Sequence, residues 1–87
     1  MEKETCYRLN TGKVIRGQIL SVSCERIAYC PISIHRWSRE QLNVFTKILH
    51  GGYLVRIYCI KGTRQHIYWD WSENTVTLSE WVAEHKL

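Results

Sequence analysis

Four cysteines (Cys6, Cys24, Cys30, Cys59) and four histidines (His35, His50, His66, His85) are the side chains best suited to hold a metal or attack an electrophile. Zinc sites draw their ligands as closely spaced pairs, such as Cys-x-x-Cys or His-x-x-x-His, and no such pair is present. The nearest grouping is Cys24, Cys30 and His35 with a distant Cys59 or His66, and Cys30 alternates with apolar residues expected to face a core. Nucleophilic catalysis needs a Cys, Ser or Lys oriented by a base. Nothing groups those residues here, and no Gly-x-Ser-x-Gly, His-Glu-x-x-His or phosphate-cradling glycine loop appears. Asp70 and Glu73 lie close together beside a turn, where solvated acids are commonplace. The residue pattern points away from an enzyme, a metal centre and a bound cofactor.

The same cysteines are expected to be reduced and to form no disulfides. The opening Met-Glu-Lys-Glu-Thr lacks the apolar stretch of an export leader, and no apolar run approaches the ~18 residues of a membrane span. A cytoplasmic location follows as an expectation, with thiols kept reduced. Cys24, Cys30 and Cys59 also fall within apolar strand-like runs, where free Cys behaves as a small hydrophobe.

The constellation that stands above background is a hairpin, Tyr53 to Lys61 and Gln65 to Trp71, separated by Gly62-Thr63-Arg64. Strand side chains alternate between faces. With Val55, Ile57, Ile67 and Trp69 turned to the core, the outer face carries Arg56, Tyr58, His66, Tyr68 and Asp70, and Trp71 completes the exposed region. That face would be aromatic, hydrogen-bonding and partly charged, the chemistry of a binding surface. The bland alternative is a solvated sheet face in which Tyr serves strand propensity.

Local signals define the elements that must position this face. Ser38 and Gln41 form a capping-box pattern, with Trp37 and Leu42 as its hydrophobic staple, so a helix should start at Arg39. Leu42, Phe45, Ile48 and Leu49 give it an apolar side, and Gly51-Gly52 end it. His50 falls in its last turn, where an imidazolium complements the helix dipole. Thr77 and Glu80, with Val76 and Trp81, repeat the signature for a second helix that buries Leu78, Trp81 and Val82 and ends near His85. Ahead of the first helix, Cys6 to Leu9, Val14 to Cys24 and Ile27 to His35 read as strands, joined by the turn Asn10 to Lys13 and by Glu25-Arg26. Gly17 marks a bulge or bend in the second, and Pro31 favours an edge strand or a bulge in the third. A brief strand at Thr75 to Thr77 competes with the second cap.

The expectation is one compact domain over residues 1–87, α+β, in the order β-β-β-α-β-β-α. Short connections favour antiparallel strands. Either a small antiparallel sheet with both helices on one face or a partly open five-stranded barrel fits; the latter has the element order of OB-folds, an analogy of order alone.

Charge separates along this domain. The chain is +4 overall; residues 1 to 64 hold eleven of the twelve Lys and Arg against four acids, and residues 65 to 87 hold only Lys86 against Asp70, Glu73, Glu80 and Glu84. Two functions compete on these observations. A non-catalytic protein-binding module, regulating or inhibiting a partner by occupying its surface, would use the Tyr, Trp and Arg types that carry interface hot spots. A nucleic-acid binder would track phosphates with its basic body, from Arg8, Lys13, Arg16 and Arg26 to Arg64, and stack bases on exposed rings. No Lys/Arg run or RNP-like motif favours the second. The leading expectation is a protein partner without membrane association, and oligomeric state is open.

Overall fold

The computed structural model describes residues 5–26, 38–48 and 51–87. Within them the chain forms β1 (Cys6–Arg8), β2 (Val14–Arg16), β3 (Gln18–Arg26), α1 (Arg39–Ile48), β4 (Tyr53–Lys61), β5 (Arg64–Ser72) and α2 (Leu78–His85). The class is α+β and the order is the expected one. The strands form an antiparallel ribbon, β1–β2, and an antiparallel three-stranded sheet, β3–β4–β5, without closing into a barrel.

The strands ahead of α1 differ from those expected. Val14 to Cys24 is interrupted at Gly17, whose φ of +140° is open only to glycine. A Cβ at that position would collide with the carbonyl oxygen of Ile60 and Sγ of Cys59, so the missing side chain is what lets the bend lie against β4. Beyond it the register against β4 shifts between Ile19 and Ser21, a bulge that adds to the bend. Glu25 and Arg26 form no turn; they continue β3 opposite Leu54 and Tyr53. The strand expected from Ile27 to His35, with Pro31, lies outside the described residues, as do Trp37, Leu49 and His50. Thr75 to Thr77 pairs with no strand.

Two apolar clusters hold opposite faces of the sheet. Tyr7, Leu9, Ile15, Ile19, Val55, Ile57, Cys59 and Trp81 join the ribbon and α2 to one face, with Val22, Cys24 and Val76 packed against them. Val44, Ile48 and Leu54, flanked by Trp69 and Trp71, hold α1 on the other. The helices therefore lie on opposite faces, not on one. Trp81 is almost wholly buried, its ring 5.5 Å from that of Tyr7 and stacked 4.5 Å from that of His85. Truncating a buried ring of this size typically costs about 3–5 kcal/mol, more than any single cap contributes. Docking through Trp81 is thus what holds the eight-residue α2, since a helix that short does not persist alone. Leu78, expected to be buried beside it, is exposed, and so is Leu42 in α1, where Val44 takes the inward position.

Both expected caps form. Ser38 Oγ accepts from the amide of Gln41 at 3.2 Å and Gln41 Oε1 accepts from the amide of Ser38 at 2.9 Å. Thr77 Oγ1 accepts from the amide of Glu80 at 3.2 Å, and Glu80 Oε1 accepts from the amide of Thr77 at 3.3 Å. Past α2, Lys86 bridges to Tyr7 and the amide of Leu87 donates to the carbonyl of Cys6, so the last residues extend the ribbon along β1.

Ser38→Ala and Thr77→Ala are each expected to lower stability by about 0.5–2 kcal/mol, read as shifts in urea midpoint. Gly17→Ala should cost more than either, because backbone strain of about 1–3 kcal/mol adds to the collision with Ile60 and Cys59. A Gly17→Ala midpoint within error of the parent would show that the bend does not need glycine.

Candidate functional site

A two-residue turn, Gly62-Thr63, closes the hairpin, because Lys61 pairs with Arg64. Gly62 takes φ +64° while Thr63 keeps a negative φ, as the central residues of a type II′ turn require. The expected three-residue loop would set Lys61 opposite Gln65, and that single residue of difference turns every β5 side chain to the other face. In the register adopted, Val55 lies opposite Asp70, Ile57 opposite Tyr68 and Cys59 opposite His66. Leu54 lies opposite Trp71, Arg56 opposite Trp69 and Tyr58 opposite Ile67.

The six expected site residues are consequently divided by the sheet. His66, Tyr68 and Asp70 share the ribbon-facing side with the buried Val55, Ile57 and Cys59, whereas Arg56, Tyr58 and Trp71 share the α1-facing side. They do not form one outer face. Ile67 and Trp69, expected in the core with Val55 and Ile57, lie on the α1 side; Trp69 packs beneath the helix and Ile67 is 46% exposed.

Asp70 departs furthest from expectation, being fully buried and not a solvated acid. Its carboxylate accepts from the amide of Asn10 at 2.8 Å and of Thr11 at 3.2 Å, and Nδ2 of Asn10 donates to the carbonyl of Trp71 at 2.7 Å. These bonds fasten the β1–β2 turn to β5. Burial pushes the Asp70 carboxyl above its ordinary value of 3.8, outweighing the amide bonds from Asn10, Trp71 and Thr11 and the proximity of His85, which all favour the charged form. His85 in turn donates from Nδ1 to the carbonyl of Arg8 at 2.8 Å, an acceptor that fixes its tautomer.

Tyr68 is half-buried, stacked on His66 with ring centroids 6.0 Å apart, and Lys13 Nζ lies 5.0 Å from its ring centre. Burial, then the neighbouring Cys59 and Glu40, raise the phenol's affinity for its proton, so the hydroxyl stays a donor at neutral pH. Tyr68 lines a recess of about 310 Å³ together with Cys6, Lys13, Val14, Ile15, Arg16 and Lys61. Three of those seven side chains are cations, and none is an acid. Composition announces the basic residues, but no run or spacing in the sequence brings Arg16 to Lys61; the Gly17 bend does.

On the α1 side the guanidinium of Arg56 lies 5.2 Å from the ring centre of Tyr58 and 5.9 Å from that of Trp69. Its Nε, with Oγ of its cross-strand neighbour Ser23 and Nε1 of Trp71, is buried without a hydrogen-bond partner among the described residues. The Leu54 and Trp71 end of this side is covered by α1, and the Tyr58 and Ile67 end is more open.

Among the described residues no group of three His, Cys, Asp or Glu side chains is placed to hold a metal ion, and none of Cys6, Cys24 and Cys59 is joined in a disulfide. Cys24 donates to the carbonyl of Val76 and Cys59 to that of Arg16, contacts in which the thiols serve packing. Cys30 and His35, the other members of the grouping weighed from spacing, lie outside the described residues. No helix among the described residues is long and apolar enough to cross a membrane.

The raised carboxyl makes a pH prediction. Between 3.8 and its folded value, Asp70 holds its proton in the native state but has lost it in the unfolded chain, so its contribution to stability falls as pH rises through that window. Urea midpoints of the parent and of Asp70→Asn, measured from about pH 4 to neutrality, should converge or cross as a result, with the parent losing ground on the basic side. A parent that gains on the variant with rising pH would mean the amide bonds to the carboxylate outweigh burial. No family model, curated protein or solved structure matches this chain, so its function rests on the geometry above.

Proposed function

We propose that this chain is a small non-catalytic binding module that regulates or inhibits a protein partner by occupying its surface, using the open end of the α1-facing side of the sheet. The observation that carries this reading is Arg56 held between the rings of Tyr58 and Trp69, beside an Ile67 that is 46% exposed. A cation set over two aromatic rings is preorganised, so less side-chain entropy is lost when it meets a carboxylate or carbonyl. Arg, Tyr and Trp dominate interface hot spots, and an adjoining aliphatic side chain excludes water from them. Of the six residues expected from sequence, Arg56 and Tyr58 remain at the centre of the surface. Trp71 supports it from beneath α1, while His66, Tyr68 and Asp70 serve the opposite side.

The test is capture from cell lysate on the immobilised protein, with and without nuclease and at low and high salt, followed by titration of the purified captured protein. Ile67→Ala, at an exposed position, should leave folding stability within about 0.5 kcal/mol, and Tyr58→Ala, at a half-buried one, is to be compared with the parent by urea midpoint before binding is read. They should weaken the partner by about thirtyfold for a central anchor. Capture lost on nuclease treatment, and steeply salt-dependent, would replace this reading with nucleic-acid binding. Unchanged affinity in both variants would reduce the face to solvated sheet.

A further inference from the structure

The recess beside Tyr68 is independent of the surface just described, lying on the opposite side of the sheet. Lys13 reaches it from the turn between β1 and β2, Arg16 from the end of β2 and Lys61 from the end of β4. Two segments distant in sequence, residues 13–16 and the end of β4, therefore bring like charges to one concavity. Like charges gathered along one concavity favour an ion of opposite sign there. Among the described residues the one carboxylate within ion-pair distance of these cations is Glu40, 3.6 Å from Lys13, and it does not line the recess. The larger depression beside α2, about 510 Å³, differs in this respect, since Glu84 stands among its cations.

The recess is also built by the fold and not by chance exposure. Gly17 permits the approach of the β2–β3 bend to Ile60 and Cys59, and the Cys59 thiol donates to the Arg16 carbonyl at 3.6 Å. Arg16 is thereby held beside the strand end that carries Lys61. Arg offers a planar fork that matches oxyanion geometry, Lys offers point charges, and a protonated phenol adds a neutral donor. The volume lies near the lower limit of small-ligand sites, about 300 Å³, which suits a compact ion better than an extended one.

We propose that this recess is a binding site for a phosphate-class oxyanion, held by Arg16 and Lys61 with Lys13 and Tyr68 on its wall. The same chemistry could be delivered free, as a diphosphate, or by the backbone of a single-stranded nucleic acid. The experiment titrates the full chain with sodium pyrophosphate against sodium chloride of matched ionic strength, following backbone amide shifts by NMR. A parallel arm uses a short single-stranded oligonucleotide. Saturable shifts centred on Val14, Arg16, Lys61 and Tyr68 are expected with pyrophosphate and not with chloride. Arg16→Gln and Lys61→Gln should each weaken binding by about tenfold, the loss of one charge-assisted bond. Arg39→Gln and Lys47→Gln, exposed on α1 away from the recess, should bind as the parent does. Thermal melts of the recess variants that match the parent will show that the fold is intact, and shifts spread over Arg39 and Lys47 alike would overturn the site. If only the oligonucleotide binds, and the recess variants lose it, the phosphate comes from nucleic acid; if only pyrophosphate binds, it comes from a free ion. Binding of neither, or binding that ignores Arg16 and Lys61, overturns the proposal.

Discussion

The buried carboxylate of Asp70 is the contact on which the arrangement of the two sheets depends. Burying an ion without partners would be prohibitive, and here amides of the β1–β2 turn supply them, from Asn10 and Thr11, across some sixty residues of chain. The turn cannot leave β5 without orphaning that carboxylate, and β5 cannot change register without carrying it to the α1 side. One side chain thus ties ribbon to sheet and holds the hairpin in the register that its two-residue turn sets. The apolar cluster around Trp81 supplies more of the energy, but burial is non-directional and would tolerate neighbouring registers. Specificity comes from the polar contact.

This explains what was legible in the sequence. Caps depend on residues three apart, and both Ser38 with Gln41 and Thr77 with Glu80 could be read directly and are present. The α+β class could be read from the same signals, whereas the three strands ahead of α1 arise because Gly17 divides the expected second strand, the expected third lying outside the described residues. Hairpin parity could not be read from β5 alone, because Gln65 to Trp71 offers large apolar rings on one parity and an aromatic, a histidine and an acid on the other. Amphipathic reasoning puts the acid outside. The overlooked signal was Gly62 followed by one non-glycine residue, the mark of a two-residue type II′ turn, which by itself sets Lys61 against Arg64. The position of α2 was not legible either, since its place beneath the ribbon depends on Tyr7 meeting Trp81 across most of the chain.

Dividing the expected face has a functional corollary. Instead of one mixed aromatic surface, the sheet separates its chemistry: a cation stacked on aromatic rings toward α1, and cations around a phenol toward the ribbon. The two sites have no side chain in common. They are nevertheless connected through β4 and β5, whose alternating residues serve each in turn, so the rigidity of one hairpin sets the precision of both.

Glu40 carries a further consequence. It accepts from the amide of Trp69 at 3.5 Å and pairs with Lys13, so a carboxylate and an ammonium stand along the unpaired side of β5. An outer strand with free amides is a template on which a second chain can add its own strand, and inserted charge is a known defence against it. The helix that covers one face of the sheet thereby also guards its border, its first-turn Glu40 and the Lys13 it pairs with standing against recruitment of like strands into a growing fibril.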